Sequence, residues 1–338
     1  MQDFKEFQGS FDRPIEDKIR ELQRHGRLKH LIFGEQLNPE DIDKLCRVAD
    51  MIRRMSKDRI GNEKLRKLLA HKRAMLYFTQ PSTRTFLSFT AACQILGVAC
   101  NEVRNPATSS EVKRESPMDS IRMFSSYFDV IIMRSQVANF AECCSYMMNR
   151  LEHQEMRSVP VVNAGAGSDE HPTQALLDMY TILRTFNFDE EAVFRDSRLS
   201  GLREKYPELT TGPGDKTYLF CGDIGRGRTV RSLASVLAKY QNVKMMFVSP
   251  DHEVLRLDDK LKQRLLQQGV DVKEFNSLDS TLDGTPILSL TDCVYMTRIQ
   301  REHNQGEQGK QIAEIDLSPF RLTAERVAKL KDLSLIHI

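Results

Sequence analysis

Short apolar runs recur along the chain, and several of them lead through a polar turn into an amphipathic stretch. The runs occupy residues 74–78, 130–133, 159–163, 217–221, 243–248 and 293–296, and predicted helices occupy residues 85–96, 173–185 and 229–239. Short, predominantly apolar runs are typical of strands that are buried on both faces of a parallel sheet. Strands that alternate with helices therefore predict an α/β protein with two doubly wound parallel-sheet domains.

Other stretches depart from this rhythm. Residues 1–30 are highly charged and predict a peripheral helical extension, whereas residues 186–216, with Gly212-Pro213-Gly214, predict a long loop or small insertion. Asn38-Pro39 predicts the start of a helix that runs to about residue 55. The apolar positions of that helix recur at helical spacing and predict one buried face: Ile42, Leu45, Val48, Ala49 and Ile52.

The charge balance limits the expected partners. The 338 residues include 49 basic and 47 acidic side chains, which gives a formal charge of +2. A chain of this length can bury two ordinary domain cores. Because it has no global basic field, we expect neither nucleic acid nor a membrane surface as a partner. Any preference for anions must come from locally gathered cations.

The cysteines and the first residues bear on the compartment. Seven cysteines without a C-x-x-C pair predict neither a disulfide framework nor a zinc site. The first residues lack the apolar stretch of a signal peptide, and no run reaches the length of a membrane span. We therefore expect a cytoplasmic protein.

Residues 79–85 carry the first candidate chemistry, because they follow an apolar run and lead directly into a predicted helix. A helix N-terminus presents unpaired backbone N–H groups and a partial positive charge, so it can hold a phosphate. Ser82, Thr83 and Thr85 add hydroxyls, and Arg84 adds a guanidinium that can bind two oxygens. The alternative is that Ser82 merely caps the helix.

The string Pro81-Ser82-Thr83-Arg84-Thr85 resembles the signature of the transcarbamylases, the family of aspartate and ornithine carbamoyltransferases. This resemblance implies that residues 82–85 hold the phosphate of carbamoyl phosphate. Gln80 and Phe86 stand where the family usually has glutamate and arginine.

Further segments resemble the family in the same order along the chain. Arg134 resembles the arginine that reaches the carbamoyl oxygen, and His171 and Gln174 resemble the residues that contact the carbonyl oxygen and the carbamoyl amine. Ala166 stands where aspartate is usual. Taken alone, a histidine before proline is more often a turn or core residue.

Residues 222–230 contain part of the dinucleotide-binding pattern G-x-G-x-x-G, but Val230 occupies the third glycine position. The stretch is more similar to the family motif whose arginine, here Arg228, binds a substrate carboxylate. Arg231 replaces the usual histidine of that motif.

The string at residues 295–300 resembles that of the aspartate enzymes, and the resemblance implies that Arg298 and Gln300 bind aspartate. Ornithine enzymes use a different loop. Two forked guanidiniums, Arg228 and Arg298, also suit a dicarboxylate.

Residues 109–116 resemble the mobile family loop that enters a neighbouring subunit's site. Lys113 matches its catalytic lysine and Ser109 its phosphate-binding serine, although Arg114 replaces the usual glycine. Without the resemblance, a solvated charged loop is the plainer interpretation. The resemblance implies a homotrimer with shared active sites.

Taken together, the resemblance implies a carbamoyl phosphate-binding domain at residues 1–170 and an aspartate-binding domain at residues 171–338. It implies transfer of a carbamoyl group to the α-amine of L-aspartate in de novo pyrimidine biosynthesis, without a metal or cofactor. The implied catalytic residues are Arg84, Thr85, Lys113, Arg134 and His171.

Beyond residue 332 the family has a His-Pro-Leu-Pro-Arg segment and a helix that returns to the first domain. This sequence has neither, so we expect a truncated reading frame. Two alternatives stay open: a transcarbamylase for another amino acid such as ornithine, and a non-catalytic homologue. Regulatory or other pathway subunits are further candidate partners.

Overall fold

The computed structural model describes residues 6–104, 116–165, 170–187, 205–206, 210–298, 312, 315–332 and 334–337. The chain divides into two compact units, residues 1–177 and 178–338. Each unit contains one larger sheet in which all paired strands run parallel. The predicted α/β class with two parallel-sheet domains is confirmed.

The first unit begins with short elements and continues with the strand–helix alternation. Its helices are α1 (Gln8–Phe11), α2 (Ile15–Glu21), α3 (Pro39–Met55), α4 (Arg59–Leu68), α5 (Thr83–Leu96), α6 (Pro117–Tyr127) and α7 (Phe140–His153). Its strands are β1 (Gln23–Arg24), β2 (Arg27–Leu28), β3 (Arg73–Phe78), β4 (Ala99–Val103), β5 (Val130–Arg134) and β6 (Val161–Asn163). The division between the units lies within helix α8 (Pro172–Thr185).

The sheet of the first unit has the strand order β4-β3-β5-β6 and is covered on both faces. Successive side chains of β3 enter different cores. Met75 and Tyr77 pack in a core with residues of α6 and α7, whereas Leu76 and Phe78 pack with Phe86 of α5. Burying each such side chain contributes about 1.5–3 kcal/mol, which explains why the central strands are apolar throughout.

The N-terminal segment is exposed over most of its described residues, as predicted for a peripheral extension, but it is attached to the first unit at buried positions. Among residues 6–30 it forms α1 and α2, which are followed by the antiparallel hairpin β1–β2. Leu22 is fully buried, and the ammonium of Lys18 forms a buried ion pair with Glu142 of α7 at 2.9 Å. The charged composition could not predict these contacts, because the ion pair joins residues that are far apart in the sequence.

Helix α3 begins at the predicted cap, since the Asn38 side chain accepts a hydrogen bond from the N–H of Asp41. Only part of the predicted apolar face of α3 is buried. Leu45 and Val48 are exposed, and the buried positions are Ile42, Cys46 and Asp50. Apolar spacing predicts one side of a helix but not how much of that side the rest of the protein covers.

The second unit repeats the architecture with a five-stranded sheet in the order β13-β12-β7-β8-β9. Its strands are β7 (Thr217–Cys221), β8 (Lys244–Val248), β9 (Asp271–Phe275), β10 (Thr281–Leu282), β11 (Thr285–Pro286), β12 (Cys293–Met296) and β13 (Leu335–His337). Its helices after α8 include α9 (Arg228–Leu237), α10 (Asp259–Gln267), α11 (Ile287–Leu290) and α12 (Ala324–Val327). Strands β10 and β11 form a separate hairpin.

Most of the predicted insertion at residues 186–216 lies outside the described residues. In its described last part, the ammonium of Lys216 donates to the carbonyl oxygen of Thr210 at 2.7 Å and lies over the ring of Phe186. Burial lowers the pKa of Lys216. Across the ranges given above, no helix combines the length and apolar character that a membrane span needs.

Candidate functional site

Both parallel sheets contain a point at which the order of the strands reverses. In the first sheet, the chain passes from β3 to β4 on one side and then to β5 on the other side of β3. In the second sheet, β8 and β9 follow on one side of β7, and β12 is added on the other. Ligands of such sheets bind beyond the carboxyl ends of the strands at these reversals. The loops after β3, β5, β7 and β12 are therefore the candidate ligand-binding loops.

The loop after β3 forms a hydroxyl-lined helix N-terminus. Helix α5 begins at Thr83, two residues earlier than predicted, so Thr83 and Arg84 lie in its first turn. Ser82 occupies the N-cap position, but its hydroxyl donates to Oγ1 of Thr85 at 3.0 Å and does not cap the helix. The capping alternative is therefore wrong. Because the side chains of Thr83 and Arg84 are exposed, this helix end can present its donors to an anion.

The end of β5 brings a second cation to the same sheet edge. Phe78 of β3 pairs with Arg134 of β5, and the N–H of Gln80 donates to the Arg134 carbonyl oxygen at 3.3 Å. The Arg134 guanidinium is largely buried, and its Nη1 donates to the carbonyl oxygen of Ala164 at 3.1 Å. Because β3 and β5 are adjacent strands, the hydroxyl-lined N-terminus of α5 lies beside Arg134.

Arg134 and His171 converge on Gly165, which follows β6. A Cβ atom at Gly165 would lie 2.7 Å from Nη1 of Arg134 and 2.8 Å from Cδ2 of the His171 ring. Gly165 has a φ of +98°, a conformation that L side chains rarely adopt. The structure therefore brings these two sequence-predicted residues together.

The hydrogen bonds of His171 fix which ring nitrogen carries a proton in the neutral ring. Its Nδ1 accepts from the backbone N–H of Gln174 at 3.3 Å and lies 3.2 Å from Oγ1 of Thr173. A neutral imidazole with an accepting Nδ1 carries its proton on Nε2. That nitrogen, on the Gly165 side of the ring, can donate a hydrogen bond to a ligand oxygen.

Two buried polar residues that were not predicted as site residues support this arrangement. Asn163 accepts from the N–H of Gly165 at 2.8 Å and donates to the carbonyl oxygen of Ile32 at 3.0 Å. Glu170, next to His171, accepts from the N–H of Gly34 at 2.9 Å. Asn163 could have been found as the first polar residue after an apolar run, whereas Glu170 has no comparable signal.

The second unit holds the loops after β7 and β12 close to each other. Gly222, with φ +119°, lies so near Thr297 that a Cβ atom would come within 2.2 Å of the Thr297 carbonyl oxygen. Thr297 in turn donates to the carbonyl oxygen of Cys221 from its N–H at 2.7 Å and from its hydroxyl at 3.1 Å. The segments that lead to Arg228 and Arg298 therefore start where the loops after β7 and β12 pack against each other.

Arg228 and Arg298 differ in their surroundings. Arg228 is half-buried as the first residue of α9, whereas Arg298 is exposed after β12. The loop before Arg228 is held by fully buried Asp223, whose carboxylate pairs with Arg226 at 2.6 Å. Arg231 donates to the carbonyl oxygen of Gly225 at 3.3 Å. Arg228 and Arg298, which follow the adjacent strands β7 and β12, are therefore the candidate carboxylate ligands at the second sheet's reversal.

Several predicted positions lie outside the described residues, namely Ser109, Lys113, Ala166 and Gln300. Their assigned roles stay predictions. Within the described ranges, no group of three or more histidine, cysteine or acidic side chains could hold a metal ion.

Comparisons with known proteins indicate the family of this chain. A family model described as aspartate/ornithine carbamoyltransferase, carbamoyl-P binding domain, matches residues 29–184. The aspartate carbamoyltransferase catalytic subunit of Methanocaldococcus jannaschii is 34% identical over 81% of this chain and 75% of its own length. The catalytic subunit of Vibrio cholerae is 30% identical over 91% of this chain and 84% of its own length.

Solved structures show the same likeness. The catalytic subunit of M. jannaschii aspartate transcarbamoylase matches with a TM-score of 0.64 and 30% identity, covering 91% of this chain and 88% of that chain. Trypanosoma cruzi aspartate transcarbamoylase in complex with carbamoyl phosphate and aspartate matches with a TM-score of 0.69 and 26% identity, covering 91% and 84%. The fold is that of a two-domain transcarbamylase. The chain belongs to the aspartate/ornithine carbamoyltransferase family.

Proposed function

We propose that this chain transfers the carbamoyl group of carbamoyl phosphate to the α-amine of L-aspartate, giving N-carbamoyl-L-aspartate and phosphate. The convergence of Arg134 and His171 on Gly165, at the sheet edge that carries the α5 N-terminus, is the observation that supports this most. This edge offers donors for a phosphate and for a carbonyl oxygen, which are the acceptors of carbamoyl phosphate. The relatives reported above are all aspartate carbamoyltransferases.

In this proposal, the phosphate of carbamoyl phosphate binds at the start of α5. Backbone N–H groups, the hydroxyls of Ser82, Thr83 and Thr85, and the Arg84 guanidinium supply the donors. Donors that already face the phosphate in the bound substrate also stabilise the charge that it gains as it leaves. Lys113 and Ser109 would add to this set.

The reacting carbonyl group is polarised by Arg134 and by Nε2–H of His171, and Gln174 contacts the carbamoyl amine. The neutral α-amine of aspartate attacks the carbonyl carbon, and a carbon–nitrogen bond forms. The carbon–oxygen bond to phosphate then breaks, and a proton from the amine leaves with the phosphate. Donors aimed at a developing oxyanion are worth about 10²–10³-fold in rate each.

Aspartate binds through its two carboxylates to Arg228, Arg298 and Gln300. Two negative charges about 4 Å apart repel by about 4 kcal/mol at an effective dielectric near 20, so a dianionic pair of substrates needs nearby cations. Guanidiniums suit carboxylates because their planar fork can donate two parallel hydrogen bonds. Ornithine, whose side chain carries an amine, would meet repulsion from the same arginines.

The wider setting of the reaction belongs to the same proposal. We assign carbamoyl phosphate binding to the first unit, residues 1–177, and aspartate binding to the second, residues 178–338. The active unit is a homotrimer in which Lys113 enters the neighbouring site, and the product serves pyrimidine biosynthesis. A cytoplasmic location stays a prediction from the sequence.

Replacing Arg84 by alanine tests the proposed function directly. We expect Arg84→Ala to lower kcat/KM for carbamoyl aspartate formation by at least about 10²-fold, because a charge-assisted phosphate contact is lost. The exposed Arg59, which pairs with Glu63 one helical turn away, provides the matched control, and Arg59→Ala should retain full activity. Unchanged activity in Arg84→Ala would refute the assignment of the α5 N-terminus as the phosphate-binding site.

The substrate assay also separates the alternatives. The unaltered chain should carbamoylate aspartate but not ornithine. Turnover of ornithine alone would favour a transcarbamylase for another amino acid. Absence of turnover with either amino acid would favour a non-catalytic homologue.

A further inference from the structure

Three side chains from three elements of the second unit form one chain of hydrogen bonds. Tyr295 of β12 donates from its hydroxyl to Oδ2 of Asp178 in α8 at 3.1 Å. The hydroxyl of Thr229, the second residue of α9, lies within side-chain hydrogen-bonding reach of the Tyr295 hydroxyl. Asp178 and Tyr295 are only 1% and 7% exposed, so water does not compete for the bond between them.

The surroundings of Tyr295 fix the direction of these hydrogen bonds. Burial, and after it the negative charge of Asp178, raises the pKa of the Tyr295 hydroxyl, which therefore keeps its proton. Tyr295 donates that proton to the Asp178 carboxylate, so its hydroxyl oxygen acts as the acceptor toward Thr229. The Thr229 hydroxyl is then the donor of that pair.

This hydrogen-bond chain attaches to both segments that carry the candidate carboxylate-binding arginines. Thr229 follows Arg228 directly in the first turn of α9. Tyr295 precedes Arg298 by three residues, and Thr297 between them is bound to the carbonyl oxygen of Cys221. Tyr295 therefore connects the start of α9 with the end of β12, close in sequence to both arginines.

We propose that Tyr295 is a positioning residue for the second substrate. Through Thr229 and Asp178 it sets the separation of Arg228 and Arg298, and so the length of the dicarboxylate that the two guanidiniums bind. Tyr295 itself does not contact the substrate. This inference rests on the proposed function and adds to it a cause for selecting the four-carbon aspartate over the five-carbon glutamate.

The test replaces Tyr295 by phenylalanine, which removes the hydroxyl and keeps the ring that packs 5.7 Å from the ring of Phe220. We expect KM for aspartate to rise about tenfold, the upper range for one hydrogen bond, while KM for carbamoyl phosphate changes less than about twofold. The preference for aspartate over glutamate, measured as a ratio of kcat/KM values, should fall. A purely structural role would not change that ratio.

Tyr218 provides a matched control from the neighbouring strand. It is 1% exposed on β7, and its hydroxyl donates to the carbonyl oxygen of Pro213 at 2.8 Å. It pairs in register with Cys293, two residues before Tyr295 and toward the opposite end of the sheet from Arg298. Tyr218→Phe therefore loses a comparable buried hydrogen bond, and we expect KM for aspartate and the substrate preference to stay unchanged.

Three further variants change the two partners of Tyr295. Thr229→Val removes the donor at nearly constant volume and should reproduce the higher KM for aspartate. Asp178→Asn keeps an oxygen acceptor for Tyr295 and should have a smaller effect than Asp178→Ala. Melting temperatures, measured for every variant, show whether the kinetic change exceeds any loss of folded protein.

The outcomes separate this inference from the proposed function. Suppose that the unaltered chain carbamoylates aspartate while Tyr295→Phe and Thr229→Val have the same KM for aspartate, and the same preference for aspartate over glutamate, as Tyr218→Phe. In that case the positioning role is wrong and the proposed function stands. If the KM values of both substrates rise equally, the role is structural and the inference is again wrong. If the unaltered chain does not carbamoylate aspartate, both are wrong.

Discussion

Gly165 shows how a single residue can bring two candidate catalytic groups together by lacking a side chain. Its left-handed backbone lets the Arg134 guanidinium and the His171 ring approach positions where a Cβ atom would stand. The Asn163 side chain holds the same turn by accepting a hydrogen bond from the Gly165 N–H. The geometry of the proposed carbonyl-polarising pair therefore depends on the absence of one methyl group.

We predict that Gly165→Ala lowers kcat/KM severely. The added methyl group would have to displace Nη1 of Arg134 or the His171 ring, and a misplacement of about 1 Å can cost about 10²-fold in rate. The strained backbone should also lower the free energy of unfolding by about 1–3 kcal/mol. Steady-state kinetics and thermal unfolding measure the two effects.

Gly269 separates strain from displacement in this test. It has a φ of +81° in the turn after α10, and no atom lies within 4 Å of the place where its Cβ would stand. Gly269→Ala should therefore lose stability while it keeps full kcat/KM. If both glycine variants retain the same activity, Arg134 and His171 are not the polarising pair.

At the scale of elements, strand position explains which parts of the fold the sequence predicts. The central strands β3, β5, β7 and β12 are short apolar runs because helices or loops cover both of their faces. Strands β4 and β9 lie at sheet edges and carry charged residues such as Glu102 and Lys273, so no apolar run marks them. The sequence analysis did not predict edge strand β13 either.

Candidate ligand residues were predictable where they follow a recognisable strand or open a helix. Ser82, Arg134 and Arg228 all have such local signals. Supporting residues do not, since their partners are chosen by tertiary packing. The bond between Gly34 and Glu170 spans 136 residues of sequence, and that between Tyr295 and Asp178 spans 117.

The segment around His30 extends the first sheet and contains a buried imidazole. Leu31 forms a parallel bridge with Val162 of β6. Nδ1 of His30 accepts from the N–H of Val161 at 3.0 Å, and Nε2 lies 3.1 Å from Oδ1 of Asn149. Burial, with the positive charge of Lys29, lowers the pKa of His30 to about 3.

This burial predicts an acid-dependent loss of stability. An unfolded histidine has a pKa near 6.5, so below that pH the unfolded chain binds a proton that folded His30 does not. The contribution of neutral His30 to the free energy of unfolding is complete above about pH 6.5. It decreases as the pH is lowered, and about 2 kcal/mol is lost at pH 5. Urea unfolding between pH 5 and 8 should show a weaker pH dependence in His30→Gln than in the unaltered chain.

His71, which is exposed, controls for the loss of an imidazole elsewhere. His71→Gln should leave the pH dependence of unfolding close to that of the unaltered chain. A His30→Gln variant whose stability falls from pH 7 to pH 5 as steeply as that of the unaltered chain would contradict the burial of a neutral His30.

At the scale of the whole molecule, anion binding comes from local grouping of cations rather than from net charge. The chain has a formal charge of only +2. In the first unit Arg84 and Arg134 follow adjacent strands, and in the second unit Arg228 and Arg298 do the same. In the proposed function, each sheet reversal therefore supplies arginines for one charged substrate.

The proposed sharing of Lys113 between subunits predicts that two inactive variants can complement each other. Lys113→Ala and His171→Ala should each be nearly inactive. In a trimer formed from an equal mixture, a site works when its own chain has His171 and the neighbour that supplies the loop has Lys113. Random assembly gives about one quarter of such sites, so about one quarter of the activity should return.

The control for this experiment pairs two residues of one protomer's site. Arg84 and His171 both belong to the first unit, so a mixture of Arg84→Ala and His171→Ala contains no chain with both residues intact. It should stay inactive after the same dissociation and reassembly, whereas the unaltered chain should recover. If the Lys113→Ala and His171→Ala mixture also stays inactive while unaltered trimers reform, each site takes its lysine from its own chain, and a monomer would suffice for the chemistry.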